Sequence, residues 1–124
     1  MILNKKDFCA VIGASSNKEK YGYKVLKDLK ESGYKTIPIN LNENKILGLK
    51  AYKSILDVNV VIETAIFVIP PKTTEEILKD VKKLGIKKVW MQPGSESDQA
   101  IKYCDDNGIE CTHNLCIMVR KNGK

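Results

Sequence analysis

Short apolar runs that end in glycine or proline alternate with stretches of helical periodicity along this chain. That alternation limits the fold more than any single motif. Phe8-Cys9-Ala10-Val11-Ile12 is apolar throughout and ends at Gly13. A continuous run of this length reads as a strand buried on both faces, since a strand with one wet face would alternate. Gly13 to Asn17 is a turn of small residues, and from Tyr23 to Glu31 the apolar Val25, Leu26 and Leu29 recur at helical spacing, with Gly33 at the C-cap position. Tyr34 to Asn40 reads as the second strand, with Pro38 awkward in it because proline donates nothing to a ladder. Residues 41–59 give mixed signals: turn residues at Asn42 to Asn44 and Gly48, then a short helix or turn within Lys53 to Val58. Ala65 to Ile69 is the next strand, stopped by Pro70-Pro71. A helix with Ile77, Leu78, Val81 and Leu84 inward follows, and Thr73 and Glu76 are spaced as its capping box. Lys88 to Gln92 is a strand, Ser97 to Asn107 a polar helix, Ile109 to His113 a last strand, and Leu115 to Val119 a final apolar segment.

The order β-α-β-irregular-β-α-β-α-β implies parallel pairing through right-handed crossovers. The expected fold class is α/β: one doubly wound, Rossmann-like domain over residues 1–124, with about five parallel strands and helices on both faces. At 124 residues and 43% hydrophobic content the chain can build such a core without disulfide or metal. Its longest apolar stretch, around Ala65 to Pro71, is far short of the ~20 residues that cross a bilayer, and the N-terminus lacks a signal-peptide core. No membrane association is expected, and the expected location is the cytoplasm.

The charge is +6, from 21 basic and 15 acidic residues. Arg120 is the single arginine, unlike a nucleic-acid reader, in which arginine forks contact bases and phosphates, so no nucleic-acid partner is expected. Lysine-rich solvated helix faces and a polyanionic small ligand are the two remaining readings of the charge. Cys9, Cys104, Cys111 and Cys116 contain no C-x-x-C pair, and Cys111, His113 and Cys116 fit no standard zinc spacing, so no metal is expected.

In open α/β sheets the ligand lies beyond the carboxyl ends of the strands, where strand order reverses. That rule selects Gly13–Asn17, Asn40–Lys45, Ile69–Thr73 and Gln92–Ser95, none of which holds an acid–base set. The first resembles a loop that lets backbone approach a phosphate at a helix N-terminus, although G-x-G-x-x-G is absent and Gly22 comes nine residues after Gly13. At the end of the second strand a dinucleotide fold places an acid for the ribose diol; here stand Asn40, Leu41 and Asn42, with Lys45 close by. A ribose that carries phosphate does not want that acid, and coenzyme A has such a phosphate.

An ordered set of segments now carries a resemblance. Val11-Ile12-Gly13-Ala14-Ser15-Ser16 and Lys20-Tyr21-Gly22-Tyr23-Lys24-Val25 are followed by Gly33-Tyr34, Ile37-Pro38-Ile39-Asn40, Ile46-x-Gly48, Tyr52-x-Ser54-Ile55 and Asp57-Val58. Val68-Ile69-Pro70-Pro71, Val89-Trp90-Met91-Gln92-Pro93-Gly94 and Cys116 complete it. Over about residues 7–119 the chain resembles the small stand-alone CoA-binding domain proteins, relatives of the CoA-binding domain of the succinyl-CoA synthetase α subunit. It departs from them at Leu41, where proline is usual, and at His113-Asn114-Leu115, where an Asp-Arg pair is common.

The resemblance implies coenzyme A as the ligand. Gly13, Ala14, Ser15 and Ser16 would wrap a phosphate, with Lys20 and Lys24 neutralising it and Tyr21 and Gly22 beside it. Asn40, Leu41 and Lys45 would lie near the adenosine 3′-phosphate. Val68, Ile69, Pro70 and Pro71 would form an apolar wall for adenine or ribose, with Gln92 and Gly94 on the far side of the cleft. Trp90 belongs either to that side or to the core. Cys116 would lie near the pantetheine arm, able to form a mixed disulfide with the CoA thiol, or else be an inert buried thiol.

No catalytic residues are expected. The phosphohistidine of the synthetase relatives sits on a second domain, His113 reads as structural, and no P-loop is present. The expected function is therefore non-catalytic binding of CoA or an acyl-CoA, as sensor, carrier or subunit module. An NAD(P)-type domain with a redox-sensing or reductase role is the alternative, and an interaction domain without a ligand a third. Homodimer or larger assembly is left open.

Overall fold

The computed structural model, which describes residues 2–121, pairs the apolar runs into one parallel sheet. The elements in order are β1 (Phe8–Ile12), α1 (Tyr21–Glu31), β2 (Lys35–Ile39), β3 (Lys45–Ile46), β4 (Leu49–Lys50), a 3-10 turn (Ile55–Asp57), β5 (Ile62–Phe67), α2 (Pro71–Lys83), β6 (Lys88–Met91), α3 (Asp98–Asp106), β7 (Glu110–Thr112) and α4 (Ile117–Arg120). The sheet runs β2-β1-β5-β6-β7, with every neighbouring pair parallel. β3 and β4 form a separate two-stranded hairpin.

Alternate residues of each strand feed two cores. Ala10, Ile12, Ile39, Ala65, Phe67 and Met91 pack with Leu78 and Val81 of α2 and Ala100 and Cys104 of α3. Cys9, Val11, Ile66 and Trp90 pack on the opposite face with Val25, Leu26 and Leu29 of α1 and Ile117 of α4. Helices on both faces explain why β1, Ala65 to Phe67 of β5 and Val89 to Met91 of β6 are apolar without alternation. The doubly wound α/β fold is as expected. From β1 the chain steps outward to β2, then returns past β1 to β5 and continues the other way. A crevice therefore opens between the loops that leave β1 and β5.

Several boundaries differ from expectation. β5 begins at Ile62, three residues before the expected Ala65, because the strand takes in Glu63 and Thr64 in spite of their polarity: Thr64 pairs with Cys9 and Lys88, and Lys88 Nζ reaches Glu63 Oε1 at 3.2 Å. The Thr73–Glu76 capping box does not form. Pro70 is the N-cap and Pro71 the first helical residue, where proline's fixed φ suits a helix start. Pro38 is harmless in β2 because β2 is an edge strand. Its carbonyl accepts from Tyr52 N at 3.0 Å on the outer side, so the missing N–H also faces outward. Residues 41–59 resolve into the β3–β4 hairpin and a 3-10 turn capped by Ser54 Oγ, which accepts from Leu56 N at 3.1 Å. The final apolar segment, Leu115 to Val119, runs into a short helix. Trp90 Nε1 donates to Leu115 O at 2.9 Å, and the chain turns into α4.

Candidate functional site

The β1–α1 loop is built by close backbone contact. Gly13 has φ +100°, and a Cβ on it would lie 2.6 Å from Ile69 Cγ2 and 2.9 Å from Val68 C, with Val68 O nearer still. Gly22, in the first turn of α1, faces Gly13 O directly. These two glycines let helix and loop touch and bring the loop against the start of the β5–α2 connection. Sequence spacing alone did not expose that pairing, because nine residues separate them. The loop is further stiffened by Asn17 N donating to Ser15 Oγ and Glu19 N donating to Asn17 Oδ1, both at 3.0 Å. Lys20 is the N-cap of α1 and offers it no side-chain cap.

Asn40, at the end of β2, ties two loops together. Its Nδ2 donates to Ala14 O at 2.8 Å and to Glu43 Oε2 at 3.2 Å, while its Oδ1 accepts from Asn42 N at 2.7 Å and Glu43 N at 2.9 Å. An aspartate could not donate to the Ala14 carbonyl. The amide is thus explained by this internal clamp, which the sequence reading did not foresee. The clamp brings Glu43 back over the first loop, where its carboxylate accepts from Ser16 N at 3.0 Å. Hydrogen bonds from Ser16, reinforced by the charge of Lys20, hold the Glu43 carboxyl below its ordinary value.

The β5–α2 connection forms the apolar wall. Ser95 Oγ accepts from Ile69 N at 3.1 Å, and Gln92 N donates to Phe67 O at 3.0 Å, locking this wall to the β6–α3 loop. Gln92 is buried and its side chain reaches α4: Oε1 accepts from Ile117 N at 2.7 Å and Nε2 donates to Cys116 Sγ at 3.4 Å. Cys116 is thereby held at the far end of the wall.

Two cavities share this wall. The first, about 440 Å³, lies over Gly13 and Ser15 and is bordered by Lys20, Gly22, Asn40, Leu41 and Lys53. The second, about 650 Å³, is bordered by Pro71, Gln92, Pro93, Gly94, Ser95 and Cys116. Tyr21, Val68, Ile69 and Pro70 line both. Together they make one cleft across the switch point, with lysines and loop backbone at one end and an apolar trough ending in a thiol at the other.

Of the eighteen residues picked from sequence, fourteen border this cleft and four do not. Ala14 is fully buried beneath the loop, packed in the α1-side core, and contributes only its carbonyl to the Asn40 clamp. Ser16 is exposed at the rim, its N–H taken by Glu43. Lys45 lies on β3, paired with Lys50 away from the cleft; Lys53 borders the cavity instead. Trp90 is 1% exposed and belongs to the core, because β6 is central and its even positions face α1 and α4. Lys24 is also outside; its Nζ sits 5.2 Å from the Tyr21 ring centre. Thr73, Ile77, Pro93 and Ser95 border the cleft and were missed, although Ser95 and Thr73 closed two of the segments chosen by the switch-point rule.

Of the other thiols, Cys9 and Cys104 are buried and Cys111 is half-buried. Burial pushes Cys9 up to about 12. A hydrogen bond shared with Cys111, and then burial, raises Cys104, while the same bond lowers Cys111. His113 is half-buried outside both cavities, with no hydrogen-bond partner for Nδ1 among the described residues. Among those residues no helix is long and apolar enough to cross a membrane.

Comparison with known proteins places the chain by family and fold. A family described as "CoA binding domain" matches residues 8–122. The α subunit of an ADP-forming acetate–CoA ligase II from Pyrococcus furiosus is 42% identical over 81 residues, which cover 64% of this chain and 18% of that protein. An ADP-forming acetate–CoA ligase II from Archaeoglobus fulgidus is 34% identical over 116 residues, 92% of this chain and 16% of that one. The chain thus spans less than a fifth of either ligase. A solved structure of a conserved hypothetical protein from Pyrococcus furiosus superposes with a TM-score of 0.87 at 37% identity, covering 92% of this chain and 97% of the other.

Proposed function

Since the chain belongs to the CoA binding domain family, we propose that it binds coenzyme A or an acyl-CoA in the cleft between the β1–α1 and β5–α2 loops, as a non-catalytic sensor, carrier or subunit module. The observation that carries this reading is the polarity of the cleft along its length. Lys20, Lys53 and the Gly13–Ser15 backbone stand at one end, Val68, Ile69 and Pro70 run through the middle, and Gln92 and Cys116 stand at the other. Coenzyme A has the same order: phosphates at one end, an uncharged pantetheine arm, and a terminal thiol. A dinucleotide has polar nucleosides at both ends and fits an apolar trough less well. When bound, coenzyme A would supply a thiol or thioester at the Cys116 end. The chain's own residues would hold the phosphates and keep the arm against the wall.

A thermal-shift comparison of CoA, dephospho-CoA, NAD⁺, NADP⁺ and ATP tests the proposal. Ligand at 100 times its Kd stabilises a fold by about 2.7 kcal/mol, which moves the midpoint of a domain this size by several degrees. A shift with CoA that shrinks with dephospho-CoA is the expected result. A shift with NAD⁺ or NADP⁺ and none with CoA overturns the proposal in favour of a dinucleotide domain.

A further inference from the structure

The polar end of the cleft is not simply basic. A carboxylate twenty-seven residues away in sequence, Glu43, sits on the Ser16 N–H at 3.0 Å and is itself gripped by Asn40 Nδ2 at 3.2 Å. The backbone that carries it is pinned at both ends of its turn. Asn40 Oδ1 accepts from Glu43 N at 2.9 Å, and Asn44 O accepts from Ala51 N at 2.9 Å. The glutamate side chain can therefore leave by rotation about its own bonds while the turn stays in place. Lys20, which borders the first cavity, is the positive charge that favours the carboxylate in this position.

We propose that Glu43 is an internal competitor at the phosphate end of the site: in the free protein its carboxylate holds the Ser16 N–H and the field of Lys20, and a ligand phosphate must displace it to engage them. The inference rests on the reading of the cleft as a CoA site. One N–H donates to one anion at a time, and two anions beside one lysine repel, so ligand affinity is reduced by the fraction of molecules in which Glu43 is engaged. An exposed charged contact of this kind changes an equilibrium by about fivefold. Glu43 is then a specificity residue as well, since it selects ligands anionic enough to evict it.

Isothermal titration of wild type and Glu43→Gln with CoA, and separately with pyrophosphate, tests this. Glutamine keeps an oxygen for the Ser16 N–H and removes the charge. CoA binding tightened by about fivefold is the expected result. CoA binding unchanged or weakened in Glu43→Gln overturns the proposal, because Glu43 then supports the ligand or plays no part. Should neither protein bind CoA, the CoA reading has failed independently, and pyrophosphate decides: tighter binding by Glu43→Gln upholds the competitor, and no difference overturns it. If the variant does not fold, the Glu43 carboxyl carbon is followed by NMR against pH in wild type. Its titration moving up toward the ordinary glutamate range when CoA or pyrophosphate is bound supports displacement, and an unmoved titration refutes it.

Discussion

Gly22→Ala sets two known effects against each other. Gly22 lies in the first turn of α1, and alanine is favoured over glycine in a helix by up to about 1 kcal/mol. The added methyl group would meet Gly13 O first, then Gly13 C at 2.9 Å and Ala14 Cα at 3.3 Å. Carbon–carbon contacts are comfortable at about 3.5–4.0 Å. All three neighbours are backbone, so no side chain can rotate away, and the first turn of α1 must back off from the loop. Overpacking of this kind costs about 1–3 kcal/mol, which matches or outweighs the gain in helix preference and leaves a net loss of up to about 2 kcal/mol. For a chain of this size that is a fall in melting temperature of up to roughly 8 °C. Because the displaced loop is the one proposed to hold phosphate, CoA affinity should fall as well. Thermal or urea unfolding with and without CoA measures both, with Lys27→Ala on the exposed face of α1 as the control. A Gly22→Ala protein as stable as wild type, with its ligand affinity intact, would show that the glycine contact does not shape the site.

Gln92→Leu should cost about 1–3 kcal/mol, because the buried N–H of Ile117 loses its acceptor, Gln92 Oε1; hydrogen exchange at Ile117 and a urea melt report it. With iodoacetamide at mildly alkaline pH, native protein should alkylate at Cys116 while Cys9, pushed up to about 12, and Cys104 stay unlabelled; peptide mass spectrometry shows the order. CoA disulfide should add one CoA to Cys116 by exchange, the thiolate attacking one sulfur and releasing free CoA thiolate; intact mass should show the adduct, and Cys116→Ser should abolish it. Glu43 has a lowered folded pKa, so the stability it contributes is complete above its ordinary value of 4.5 and is lost as pH falls below it. Glu43→Gln should flatten that part of the stability–pH curve, as read by urea midpoints between neutral pH and pH 3.

The central strands were legible because burial on both faces leaves β1 and Val89 to Met91 of β6 as unbroken apolar runs. β5 was misplaced at its start for the converse reason: Glu63 and Thr64 sit near the sheet's amino edge, where a lysine and solvent can satisfy them. The switch-point rule found the right loops since it depends on topology, which the β-α alternation fixes. It could not sort the residues within a loop. Ala14, Ser15 and Ser16 are equivalent small residues in sequence, yet one is core, one borders the cavity and one stands at the rim. Trp90 shows the same limit, because only the pairing of β6 between β5 and β7 decides which face its indole takes. Lys45 and Lys53 exchanged roles once the β3–β4 hairpin, invisible in the apolar pattern, turned the first away and the second inward.

Glu43 bears on ligand class beyond its own contact. The absence of an acid at the end of β2 favoured CoA over a dinucleotide on sequence, but the fold returns a carboxylate to that very corner. A ribose diol is best held by both oxygens of a carboxylate, and here Oε2 already accepts from Ser16 N and from Asn40 Nδ2. Asn40 therefore does two things at once: it ties the β1–α1 loop through Ala14, and it commits one oxygen of Glu43, the carboxylate the fold brings to this corner. The two ligand classes then make opposite demands on this residue. A dinucleotide would need Glu43 as a partner and would bind Glu43→Gln more weakly. Coenzyme A would need it gone and would bind the variant more tightly, so the sign of one affinity change separates the classes where composition and fold, shared by both, cannot.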